Sequence, residues 1–166
     1  YNPSGRLPMT FPYTTGQIPI YYNRRNPARR GTQGWYKDIQ IEPMYEFGYG
    51  LSYSTFEYSP VTLSSDSVAK DGKVTASVTV RNTSDVDGME TVQWYICDPV
   101  CSITRPVKEL KHFEKVLLKA GEAKTFTFEI EPYRDLSFVD RTGERFLDSG
   151  EYHIIVKDSK VVLNVE

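Results

Sequence analysis

The sequence predicts an all-β protein, a sandwich of two sheets, on three observations. Apolar and polar residues alternate with period two over several stretches. Turn-forming pairs rich in Gly, Asp and Ser separate those stretches. No long segment carries the helical period.

The first third is the exception to this regularity. Residues 1–50 hold six of the ten prolines and six of the eleven glycines. Their one strand-like piece is Arg6–Phe11, too little to bury a core alone. They also carry six Lys/Arg against three Asp/Glu, a balance of +3, whereas the remainder carries fourteen against nineteen, or −5. The basic residues centre on "NRRNPARR" (23–30), read as a solvated or carboxylate-paired loop.

Strands follow in order. Residues 56–63 form the first, bent by Pro60 and therefore expected at an edge. In "KVTASVTVRN" (73–82), Val74, Ala76, Val78 and Val80 share one face, the mark of a half-buried antiparallel strand. "ETVQWYI" (90–96) points Val92, Trp94 and Ile96 inward. Residues 107–118 come next, then "KTFTFEI" (124–130) with Phe126, Phe128 and Ile130. "EYHIIVK" (151–157) aligns Tyr152, Ile154 and Val156, and "VVLNVE" (161–166) aligns Val161, Leu163 and Val165. Turns are expected at Asp71-Gly72, Asp87-Gly88, Ala120-Gly121, Thr142-Gly143, Ser149-Gly150 and Asp158-Ser159. About seven short strands with such punctuation describe an immunoglobulin or fibronectin type III-like β-sandwich with an irregular N-terminal extension. At 166 residues one core is expected, over 55–166.

The bulk numbers exclude several function classes. A net charge of −2 gives no reason to expect nucleic acid or an anionic membrane as partner. No apolar run approaches the ~20 residues of a membrane helix. Opening on Tyr1 rather than Met, the chain reads as a processed or excised piece.

Site chemistry is sparse. His112 and His153 each stand alone and read as surface or rim residues. No phosphate loop, nucleophile elbow or metal-ligand spacing occurs, so catalytic, cofactor-binding and metal residues are all expected to be none. Asp85, Asp87, Glu144 and Asp148 flank turns and read as solvated or loop-capping. Cys97 and Cys101, in "CDPVC", read either as a disulfide across a Pro-containing turn or as two free thiols at a strand end. Tyr21, Tyr22, Trp35 and Tyr36 offer a sugar-stacking platform or a docking surface, and the Tyr/Arg-rich composition favours docking. In "FGYGLSYSTF" (47–56), Gly48 and Gly50 let the backbone turn, while Phe47, Tyr49, Leu51, Tyr53 and Phe56 supply apolar contact. That motif reads as a joint between two bodies. The sandwich interior is expected to be self-sufficient, with the apolar surface of 1–54 meant for a neighbour.

Long motifs in one order then carry a resemblance. "NPSGRLPMTFP" (2–12), "IPIYYN" (18–23), "MYEFGYGLSYSTFEYS" (44–59) and "RPVKELKHFEKVLLKAGEAKTFTF" (105–128) resemble the C-terminal end of family 3 glycoside hydrolases of β-glucosidase type, and "LSFVD" (136–140) and "SGEYHIIV" (149–156) continue it. The resemblance implies that residues 1 to about 20 end an α/β sandwich domain, that 21–54 connect, and that 55–166 are a fibronectin type III-like domain. The family's nucleophile and acid/base motifs have no counterpart here. The implied function is a non-catalytic accessory domain of a secreted or periplasmic β-glycosidase. It would stabilise the packing of the catalytic domains of the same parent chain and lie near oligo- or polysaccharide at the substrate entrance. The rival readings are a carbohydrate-binding module and a free-standing adhesion or scaffold sandwich, which share the fold.

Overall fold

A computed structural model describes residues 1–25 and 42–166. The longest alternating stretch becomes β4 (Val74–Asn82), the middle of the first sheet. Along one side of it run β1 (Phe56–Tyr58), facing Val80–Asn82, and β2 (Thr62–Leu63), facing Ala76–Ser77. Pro60 separates the two, since it has no N–H for the ladder; the expected bent edge strand is therefore two short ones. On the other side β4 pairs with β7 (Ala123–Ile130).

The second sheet runs β3 (Ser67–Val68), β11 (Ser159–Val165), β10 (Gly150–Val156), β5 (Gly88–Cys97), β6 (Glu109–Leu118). All its pairings are antiparallel except β3 with β11. A small ribbon, β8 (Phe138–Val139) with β9 (Arg145–Phe146), follows a one-turn helix, α1 (Pro132–Asp135). This is the expected fibronectin type III-like sandwich. The short helix and a 3-10 turn at Thr15–Gln17 are additions to it.

Side-chain parity places the core as read from the sequence. Val74, Ala76, Val78 and Val80 face Val92, Trp94 and Ile96 across the interior, together with Phe126, Phe128, Ile130, Tyr152, Ile154 and Leu163. Each fully buried branched or aromatic side chain contributes about 1.5–3 kcal/mol. Buried Asn82 closes one end: its amide donates to the carbonyls of Val86 and Leu118 at 2.8 and 3.1 Å. Two boundaries differ from expectation. The last hairpin turns at Lys157 and Asp158, with Lys157 at φ +52, because Ser159 already pairs with Val156. Arg6–Phe11 forms no ladder strand, only a single bridge from Phe11 to Tyr45.

Candidate docking surface

The second sheet leaves a gap. Its β10 accompanies β5 only over Tyr95–Cys97, so the stretch from Gly88 to Trp94 has a strand neighbour on one side alone. The leading segment lies along this stretch. Residues 7–11 run against 44–49: Leu7 N–H donates to Tyr49 O at 2.8 Å, Gly48 N–H to Leu7 O at 2.9 Å, and Phe11 N–H to Tyr45 O at 2.8 Å.

Both glycines of the joint have a physical reason. Gly48 sits at φ +82, and a Cβ there would lie 2.4 Å from the Gln93 side chain. Gly50 needs no unusual φ, but a Cβ would stand 2.1 Å from the carbonyl oxygen of Gly5. One glycine permits the turn; the other lets the two strands of chain approach.

Two polar clamps hold the pair to the sandwich. Asn2 gives its amide hydrogens to Ser54 Oγ (2.8 Å) and Asp87 O (2.9 Å), and its Oδ1 accepts from Ser52 Oγ (3.0 Å) and Tyr53 N–H (2.9 Å). Arg6 donates to Gly50 O at 3.1 Å and forms an ion pair with Glu90 Oε2. Glu90 is buried, and its other oxygen accepts from Tyr58 OH at 2.6 Å. Burial first, then the Glu90 charge and hydrogen bond, hold the Tyr58 hydroxyl far above the usual tyrosine range, with Arg6 partly opposing. Among the described residues the apolar core draws only on those from Phe56 onward. The expected self-sufficiency of the interior nevertheless fails at Glu90, whose counterion comes from the leading segment.

The joint's aromatics divide by direction. Phe47 stacks on Tyr22, centroids 4.3 Å apart and planes at 18°, and Tyr22 in turn meets Tyr95 edge-on at 6.2 Å. Burial, then the neighbouring Tyr22 and Glu46, push the Tyr95 hydroxyl up to about 12. Phe56 packs against the core. The others face out: Tyr49, tilted against Tyr45 at 4.8 Å, is 42% exposed, Leu51 69% and Tyr53 74%. Tyr21 is also exposed. Tyr22 is half-buried, with one ring face against Phe47. Trp35 and Tyr36 lie outside the described residues.

Exposure is concentrated on this segment. Of nineteen exposed large apolar side chains among the described residues, eleven belong to residues 1–53, although the described part of that stretch is much the shorter portion of the chain. Its inner face is clamped to β5 and its outer face is apolar and bare.

Elsewhere the chemistry is structural. Asp87 Oδ1 accepts from Ala120 N–H (2.8 Å), and Asp148 Oδ2 from Ser102 N–H and Oγ (2.9 Å each), the loop capping expected of turn acids. His112 stacks on Phe128 at 5.1 Å, and His153 contacts Glu151 at 2.6 Å. Among the described residues no group of three His, Cys, Asp or Glu is arranged to hold a metal. Cys97 and Cys101 are free thiols. Sequence reasoning missed Asn2, Arg6, Tyr58 and Glu90. One signal was present: Glu90 shares the inward parity of Val92, Trp94 and Ile96, so a charged side chain pointed at the core.

Comparison with known proteins places this geometry. Residues 1–53 match the glycosyl hydrolase family 3 C-terminal domain, and residues 90–160 match the fibronectin type III-like domain. This chain belongs to the C-terminal region of the family 3 glycoside hydrolases. It is 44% identical to the periplasmic β-glucosidase of Salmonella typhimurium over 163 residues, covering 94% of this chain and 21% of that protein. A putative β-xylosidase of Formosa agariphila is also 44% identical, over 96% of this chain and 21% of its own length. The crystal structure of the Listeria innocua β-glucosidase in complex with glucose superposes with a TM-score of 0.89 at 42% identity, over 99% of this chain and 24% of that one. The chain thus spans about a fifth of the length of the curated relatives it matches. The first family match ends at residue 53, beside the clamp at Ser54, and β1 starts at Phe56.

Proposed function

We propose that this chain is a non-catalytic accessory region of a β-glucosidase-type glycoside hydrolase, exported to the periplasm or cell exterior. Residues 55–166 form the fibronectin type III-like body. Residues 1–54 form the end of the preceding domain and the connector, whose outer face packs on the catalytic domains of the same parent chain. One observation carries the reading: the leading segment is fastened to β5 on one side and presents Tyr49, Leu51 and Tyr53 bare on the other. Monomeric proteins keep contiguous exposed apolar patches small, and a larger one marks a contact surface.

The periplasmic β-glucosidase among the relatives supports both the activity of the parent and its location. In this reading the sandwich supplies rigidity and the connector supplies contact. Catalytic carboxylates belong to the rest of the parent protein.

Two measurements test this. The isolated chain is expected to leave an aryl β-glucoside unhydrolysed; enzyme-like turnover by the purified chain overturns the reading. In the parent enzyme, replacing Tyr49, Leu51 and Tyr53 together by Ser is expected to lower the Tm and weaken activity at elevated temperature. An unchanged Tm would mean that this face contacts nothing. A carbohydrate-binding module predicts retardation of the isolated chain in gels containing β-glucans, and the packed position of Tyr22 argues against it.

A further inference from the structure

The two thiols at the end of β5 have a setting of their own. After Cys97 the chain turns through Asp98, Pro99 and Val100, and Cys101 Sγ comes to lie 4.0 Å from the carbonyl oxygen of Asp98. The second thiol is thereby folded back toward the strand end that carries the first. A disulfide joins Cα atoms about 4.4–6.8 Å apart, a span that a turn of three intervening residues meets. The exposed crest at Pro99 and Val100 leaves the turn open to solvent. Behind it, Asp98 Oδ2 is buried with no hydrogen-bond donor and lies 3.6 Å from Arg105 Nη1. Arg105 donates to Leu136 O at 2.6 Å and to Glu109 at 3.0 Å. The turn is thus anchored by Asp98 on one side and by Ser102, held by Asp148, on the other.

We propose that Cys97 and Cys101 are an oxidisable dithiol that closes into an intramolecular disulfide by exchange with a disulfide oxidant, fixing the turn that leads to Arg105. The exchange balances in two steps. Cys101, the less deeply buried of the two, loses its proton to solvent and attacks one sulfur of the oxidant. The oxidant's S–S bond breaks, and the released thiolate takes up a proton. Cys97, deprotonated in turn, attacks Cys101 Sγ and expels the second half of the oxidant as a thiol. Two protein thiols are oxidised, one disulfide is reduced to two thiols, and no other reactant is needed.

The surroundings set the pace. Burial, then the charge of Asp98, raises both thiols above the usual cysteine range; Arg105 opposes at both, Lys160 opposes at Cys97, and Asp148 adds to the rise at Cys101. Thiolate is scarce at neutral pH, so closure is slow there and accelerates as pH rises.

The inference is independent of the accessory-domain reading, and its test does not use glycosidase activity. The reduced, desalted chain is incubated with oxidised glutathione, then denatured for thiol titration and intact-mass measurement. Two titratable thiols are expected to fall to none with a mass loss of two hydrogens, and dithiothreitol should restore both. C97S and C101S should each stop as a single glutathione adduct. Persistence of two free thiols at alkaline pH, or a wild-type chain ending as a double glutathione adduct, overturns the proposal.

Discussion

Arg6 and Glu90 tie the leading segment to β5 through a buried carboxylate. Glu90 is buried with a hydrogen bond from Tyr58 and an ion pair from Arg6, so deleting Arg6 leaves a carboxylate in the interior without its cation. Removing one partner of a buried pair costs about 3–5 kcal/mol. Because the Arg6 side chain is itself partly exposed, Arg6→Ala is expected at the lower end, measured by urea unfolding. Adding Glu90→Gln should recover part of that loss, since it removes the stranded charge. Gly50→Ala acts by a different route. Its new methyl meets backbone, the Gly5 carbonyl, which cannot swing aside as a side chain would. A loss of about 1–3 kcal/mol is expected, with faster proteolysis ahead of residue 11. An unchanged cleavage rate would show that 1–11 and 45–50 are not held together in solution.

At the scale of elements, the unequal pairing of β5 decides where the leading segment goes. Where β10 leaves it, the Gly88–Trp94 stretch keeps one strand neighbour, and Ser54, Arg6 and Gly48 occupy the other side at Gly88, Glu90 and Gln93. Deleting residues 1–6 removes both clamps, so it should lower the Tm and speed amide exchange on that part of β5 more than on β4. Equal exchange on the two strands would argue against the clamps. The core itself rests on residues the strand pattern already placed. Trp94, fully buried against Phe128, is its largest member, and Trp94→Ala should cost about 3–5 kcal/mol by urea unfolding.

For the whole molecule, three tyrosines, Tyr95 and Tyr152 buried and Tyr58 half-buried, lower stability at alkaline pH. Tyr95 is pushed up to about 12, and Tyr58 and Tyr152 are also raised, burial being the first cause in each. An unfolded tyrosine titrates near about 10. Above that value the unfolded state holds fewer protons than the folded one, so the unfolding free energy falls as pH rises. Stability is therefore expected to be insensitive to these groups below about pH 10 and to decline from there through about pH 12. Unfolding midpoints and tyrosinate absorbance followed together check this; a decline that begins near neutrality without tyrosinate would assign it to other groups. The bare outer face has its own consequence. The isolated chain should bind an apolar dye at Tyr49, Leu51 and Tyr53, and their replacement by Ser should reduce that signal while leaving the fold intact.

The sequence by itself determined the sandwich, its strand order along the chain and nearly all of its core, because a period-two pattern is a local property that each strand carries whole. It also marked "FGYGLSYSTF" as a turn with contact surface, since glycines among aromatics signal both. The tertiary structure alone decided how that stretch is held. Asn2 and Arg6 are dozens of residues from their partners Ser54, Asp87 and Glu90 in the chain, and no local pattern pairs an early arginine with one inward-pointing glutamate. Only when β10 diverges from β5 does an opening exist for the leading segment to fill. The same holds for the split fate of the aromatics: neither composition nor spacing states that Phe47 and Tyr22 stack inward while Leu51 and Tyr53 stay bare.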